Sequence, residues 1–163
     1  MNHNPAPRGN PLRESRSQRL GITHLVVGSD QLVPVSAPDA SGAPQWKLPG
    51  VPSAPVRLLA YSAASGLGRI LEATQWEFTP PPSLDPVFTS PLAAALHTMC
   101  RQGQGMAWLP RTMAAEDLAG GRLVEAGGED FSITLEVRLV RPVRRQSKTA
   151  EGFWAAVSSL SMP

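Results

Sequence analysis

His97 and Cys100 stand three residues apart in a stretch of helical pattern, a spacing that sets both side chains on one helix edge. A thiol beside an imidazole invites two chemistries. Nucleophilic catalysis also needs an orienting acid, and a zinc site needs three or four ligands. The other histidines, His3 and His24, have no spacing that would complete either set. Leu96 and Met99 flank the pair as apolar positions, so the pair reads as a core thiol and a helix-surface histidine. No catalytic residue, metal site or cofactor is expected, and the chain is not read as an enzyme. Met99, Met106 and Met113 join Cys100 within fifteen residues. Oxidation of sulfur there would change polarity and packing, but methionine is also ordinary core filler.

A second group of residues suits ligand binding. Ser62 and Ser65 follow one apolar run and precede a helical pattern, and Ser90 repeats that placement before Pro91. Ligands of open α/β sheets gather beyond the carboxyl ends of the strands. A helix start adds free N–H groups and a positive dipole end, which suits a carboxylate. Ser65 and Ser90 read equally well as plain helix caps. Tyr61, the only tyrosine, could turn its amphipathic ring toward such a site. Ser65-Gly66-Leu67-Gly68-Arg69 lacks the Gly-Lys-Ser/Thr ending of a phosphate loop, so it reads as a helix start.

The elements that must position these groups are short. A strand is expected over Leu32–Ser36, with Gly28, Ser29 and Asp30 breaking the apolar run before it. Prolines at 38, 44, 49, 52 and 55 make the next stretch a loop, anchored by Trp46. Val56–Tyr61 is a buried strand, and Leu67, Ile70 and Leu71 start a helix capped by Ser65. After the proline-rich break at 78–86 come a strand at Val87–Thr89 and a helix with Ser90 as N-cap and Pro91 at its first position. Leu92, Ala95, Leu96 and Met99 form its apolar face, and Gly103 ends it. Met106–Leu109 is a strand, Met113–Leu118 a helix stopped by Gly120-Gly121, and Leu123-Val124 starts another strand. Ile133, Leu135, Val137 and Leu139 alternate with polar residues as in a half-exposed strand. Phe153, Trp154, Val157 and Leu160 complete a helical stripe. Helices between short apolar strands indicate an α/β sheet with crossovers.

The totals bound the reading. With 42% hydrophobic residues in 163, the chain can bury one core. A single cysteine rules out an internal disulfide and suits a reducing compartment. No apolar run reaches membrane-spanning length and residues 1–10 have no secretory pattern, so a cytoplasmic protein without membrane contact is expected. Basic residues cluster at Arg8, Arg13, Arg16 and Arg19 and again at Arg138, Arg141, Arg144, Arg145 and Lys148. They read as solvated surface, because nothing before Leu25 could supply a groove-reading helix.

Several stretches, in this order and spacing, resemble the effector domain of LysR-type transcriptional regulators. They are Leu32-Val33-Pro34-Val35-Ser36-Ala37-Pro38, Leu59-Ala60-Tyr61-Ser62 running into Ser65–Arg69, and the run from Ser90 through Leu96, Met99, Gly103, Gly105, Met106, Ala107, Trp108 and Pro110. Gly121-Arg122-Leu123-Val124, Leu135–Leu139 and Phe153-Trp154 follow. The resemblance covers about residues 20 to 160. It implies a fold similar to type-2 periplasmic binding proteins, here the second lobe plus the returning helix of the first. The expected division is an irregular leader at 1–20, the second lobe at 21–141, and a linker and C-terminal helix at 142–163. It also implies that Met106, Ala107 and Trp108 line one side of an interlobe cleft, although a strand tryptophan reads as core too.

The implied function is effector sensing: a small, anionic molecule held by Tyr61, Ser62, Ser65, Ser90, Met106, Ala107 and Trp108. A homodimer is the expected assembly. DNA contact is expected only through a helix-turn-helix domain absent from this chain, since sequence readout needs a recognition helix in the major groove. The alternatives are a truncated remnant without function of its own and a free-standing small-molecule-binding module.

Overall fold

The computed structural model describes residues 21–160, so the leader expected at 1–20 lies outside the described residues. The chain divides into two compact units: Asp30–Leu135 is one, and the residues up to Ser29 with those from Glu136 onward form the other.

Within Asp30–Leu135 the strands are the end of β1 (Ile22–Ser36), β2 (Val56–Tyr61), β3 (Leu84–Ser90), β4 (Ala107–Pro110) and β5 (Val124–Glu125), with the first residues of β6 (Ile133–Pro142). The helices are α1 (Gly66–Thr74), α2 (Ala93–Arg101) and α3 (Arg111–Ala119). β2 and β3 pair in parallel from Val56↔Leu84 to Tyr61↔Ser90, as a strand–helix–strand crossover through α1 requires. β4 joins β2 through the Leu58↔Met106 bridge, where Leu59 N–H donates to Met106 O at 2.8 Å. On its other side β4 runs antiparallel to β1, from Leu32↔Pro110 to Val35↔Ala107, and β5 pairs β1 beyond. β1 is therefore internal, and Leu32, Val33 and Val35 are fully buried, as in a strand covered on both faces.

The alternation of β4 sorts the core into two clusters. Ala107 and Leu109 join Val33, Val35, Leu59, Tyr61, Leu96, Cys100, Ala114 and Leu123, the set that packs α2 and α3. Met106 and Trp108 join Leu32, Leu48, Val56, Phe78, Ala126, Phe131 and Ile133, with Ile70 and Leu71 of α1 packed against them. Trp108 stacks on Phe78, centroids 5.8 Å apart and nearly parallel, and its indole N–H donates to Phe131 O at 2.8 Å. Each fully buried leucine contributes roughly 1.5–3 kcal/mol by leaving water.

Local expectations change in several places. β1 runs unbroken from Ile22, so Gly28-Ser29-Asp30 does not interrupt it. β3 starts at Leu84 and includes Pro86. Ser90 is not the cap of α2: it is the last residue of β3, and the helix begins at Ala93 with Leu92 at the cap position. Pro91 therefore precedes the helix. Gly103 and Gly121 do end α2 and α3, at φ +72° and +68°, left-handed values that glycine takes without steric cost.

In the other unit, β6 runs beside β1, and Val143 N–H donates to Gly21 O at 2.8 Å. The alternation expected through Val140 fails here: Val137 is half-exposed, while Arg138 is more covered than its neighbour. α4 (Lys148–Leu160) forms where the aromatic stripe predicts a helix. Arg141 lies over the Trp154 ring at 4.5 Å and binds Glu151 at 2.7 Å. Phe153 and Leu160 of the same stripe remain 59% and 83% exposed.

Candidate functional site

β2 and β3 end side by side at Tyr61 and Ser90, and Ser62 N–H donates to Ser90 O at 3.1 Å just past that end. The chain then turns through Ala63 and Ala64, with Ser65 N–H donating to Ser62 O at 2.9 Å. Ser65 caps α1 as expected. Its hydroxyl accepts from Gly68 N–H at 2.9 Å and donates to Ser62 O at 2.8 Å. The Gly66 and Leu67 N–H groups have no acceptor among the described residues, the usual condition of a helix's first turn. Ser90 Oγ accepts from Leu92 N–H at 3.1 Å. The strand ends thus carry a shelf of Ser62, Ser65 and Ser90 with two unspent N–H donors above it. Such a shelf can hold an anion by backbone donors and the helix dipole.

Glycine at 68 is a condition of this geometry. A Cβ there would lie 2.1 Å from Ser62 O and 2.9 Å from Ser65 Oγ. The sequence pattern marks Gly68 only as part of a helix start, and the close approach depends on the fold of the turn.

The other expected site residues fall elsewhere. Tyr61 is buried in the cluster of α2 and α3; its hydroxyl has no hydrogen-bond partner among the described residues, and burial pushes its pKa up to about 12. Met106 and Ala107 are wholly enclosed in the sheet, and Trp108 is 3% exposed. Trp108 does line a cavity of about 180 Å³ beneath α1. Leu58 to Tyr61 form its floor, Gly68, Leu71, Glu72 and Gln75 of the helix side cover it, and Phe78, Pro82 and Leu84 close the far end. Sequence reasoning gave no sign of this space, because Phe78 sits in a proline-rich run read only as a helix breaker.

His97 and Cys100 do not form a reactive pair. Cys100 is fully buried with Sγ 3.2 Å from Val35 O, and burial pushes its thiol up to about 12. His97 Nε2 instead lies 2.5 Å from Asp117 Oδ2. Asp117 is buried, bound also by Arg122 and lies 3.5 Å from Arg101. Burial pushes its carboxyl up, but the hydrogen bonds from Arg122 and His97 and the charge of Arg101 outweigh it and hold the carboxyl below the usual carboxylate range. This cluster ties α2 to α3. Among the described residues no group of three or more His, Cys, Asp or Glu is placed to hold a metal ion.

The comparisons with known proteins agree with this architecture. A family model described as the LysR substrate binding domain matches residues 11–160. The HTH-type transcriptional regulator YjiE of Escherichia coli (strain K12) is 29% identical over 139 residues, covering 85% of this chain and 45% of that protein. The HTH domain-truncated transcriptional regulator QseD of Escherichia coli O157:H7 is 29% identical over 141 residues, covering 85% and 56%. The chain thus spans about half the length of these relatives. Among solved structures, full-length HypT from Salmonella typhimurium, described as a hypochlorite-specific LysR-type transcriptional regulator, superposes with a TM-score of 0.78 at 26% identity. That match covers 90% of this chain and 48% of HypT. A match over nearly the whole chain, on an α/β architecture shared with LysR regulatory domains, places this chain in the LysR substrate binding domain family.

Proposed function

We propose that this chain is the effector-sensing part of a LysR-type regulator, and that a small anion, a carboxylate foremost, binds on the shelf of Ser62, Ser65 and Ser90. The observation that carries this reading is the pairing of two parallel strand ends with the unspent Gly66 and Leu67 N–H groups of a capped helix. An anion there accepts from those donors and gains from the helix dipole. The effector acts by stabilising whichever arrangement of the regulator presents the shelf best, a shift of population.

Among the described residues no two α-helices follow one another without a strand between them, as a helix-turn-helix requires. DNA recognition is therefore assigned to a helix-turn-helix carried elsewhere, on a longer chain or a partner. The half-exposed or exposed Val137, Val140, Val143, Phe153 and Leu160 favour association of the unit that holds them, and a second copy of the chain is the proposed partner.

HypT is hypochlorite-specific, which raises an oxidant as an alternative effector. The burial of Cys100 and Met106 and the raised thiol pKa speak against that route at these two sulfurs. The reading is tested by thermal shift against a panel of small carboxylates, with hypochlorite as a separate arm. Binding to the folded state raises Tm with ligand concentration. A flat response to every carboxylate contradicts the proposal.

A further inference from the structure

The cavity beneath α1 borders the serine shelf at Ala63 and Gly68, and the rest of its lining lies outside the shelf. Its walls are the side chains of Leu58, Leu71 and Leu84 and the stacked rings of Phe78 and Trp108. Its volume of about 180 Å³ slightly exceeds the roughly 150 Å³ apolar cavity that stays dry and accepts benzene. There is room for one six-membered ring and a short substituent.

The polar groups at the cavity decide what substituent fits. The Trp108 indole N–H is already spent on Phe131 O, and the Tyr61 side chain packs in the cluster of α2 and α3. That leaves Glu72 and Gln75, three residues apart on one edge at the end of α1, whose side chains bond no other described residue. Among the described residues of the lining Glu72 is the one charged side chain, and it is negative. A ligand there is favoured when it carries a donor or a positive charge, and opposed when it carries a carboxylate.

We propose that this cavity is a second ligand site, for a single-ring aromatic molecule bearing an amine or hydroxyl donor. The ring occupies the space between α1 and the Phe78–Trp108 pair, and the donor meets Glu72 and Gln75. The site's charge preference is opposite to that of the serine shelf, and the proposal stands whether or not the shelf binds an anion.

The test uses benzylamine, benzyl alcohol and benzoate as probes, with amide and indole NMR spectra of the whole chain as the readout. Benzylamine is expected to bind most tightly and benzoate least, with saturable shifts at the Trp108 indole, Leu58 and Leu71. Glu72→Gln, at an exposed position that leaves the core intact, is expected to weaken benzylamine about 3-fold, as for an exposed charge pair, and to leave benzyl alcohol nearly unchanged. Leu71→Trp is expected to fill the space and abolish binding of all three. Equal affinity for benzylamine and benzoate, unchanged benzylamine affinity in Glu72→Gln, or shifts that avoid these three residues would overturn the proposal.

Discussion

Replacing Gly68 by alanine tests the geometry of the serine shelf with one methyl group. The added Cβ would sit 2.1 Å from Ser62 O and 2.9 Å from both Ser62 C and Ser65 Oγ. Carbon and oxygen do not approach so closely without a bond, so the turn at 62–65 or the start of α1 must move by about an ångström. That movement pulls apart the 2.9 Å bond from Gly68 N–H to Ser65 Oγ and the 2.8 Å bond from Ser65 Oγ to Ser62 O. Loss of an N-cap costs about 1 kcal/mol, and forcing extra volume into a packed site costs about 1–3 kcal/mol. Together the change should cost about 2–4 kcal/mol. Gly66→Ala in the same turn is the control, because a Cβ at 66 meets nothing within 4 Å among the described residues. There the reduced freedom of the unfolded chain should leave stability unchanged or raise it by up to about 1 kcal/mol. Urea unfolding followed by circular dichroism measures both, reading the midpoint at constant m. Gly68→Ala within about 0.5 kcal/mol of the parent, the range of an ordinary surface change, would refute the close approach and the cap geometry built on it.

Further outcomes follow from the rest of the molecule. The folded pKa of Asp117 is lowered, so its ionised form adds stability above the ordinary aspartate value of about 3.9, and that contribution is lost as pH falls through the folded value. Asp117→Asn should therefore lower stability at neutral pH and flatten the acid limb of a stability-against-pH curve; a parallel curve would contradict the role given to the cluster. Cys100 should resist a thiol reagent in the folded protein at pH 8 and react fully in denaturant, because it is buried and its thiol is pushed up to about 12. Light scattering should find a dimer at high concentration, and a clean monomer would contradict the pairing assigned to the apolar side chains around α4.

The strands and caps that local chemistry determines were legible in the sequence. Val56–Tyr61 is a short apolar run, and the Ser65 cap and the left-handed Gly103 and Gly121 follow from helix-end chemistry. β1 was not legible upstream of Leu32, because its pairing with β6 overrides the turn-forming composition of Gly28-Ser29-Asp30. Ser90 departs from the expected capping role for a similar reason. Its pairing with Tyr61 keeps it extended, so the chain needs Pro91 and Leu92 to turn before a helix can start. Asp117 and its neighbour Glu116 look alike in the sequence, and only the approach of His97 and Arg122 selects the former. The cavity was illegible because it depends on Phe78 and Trp108, thirty residues apart, meeting under α1.

The proposed effector sensing rests above all on the strand-end shelf receiving an anion. An amide NMR titration of the chain with sodium acetate at constant ionic strength addresses that step without intermediaries. The Gly66 and Leu67 amides, with Ser62 and Ser90 beside them, should move together along one saturating curve. No saturable movement at Gly66 and Leu67, or one confined to residues away from the ends of β2 and β3, would contradict anion binding at the shelf.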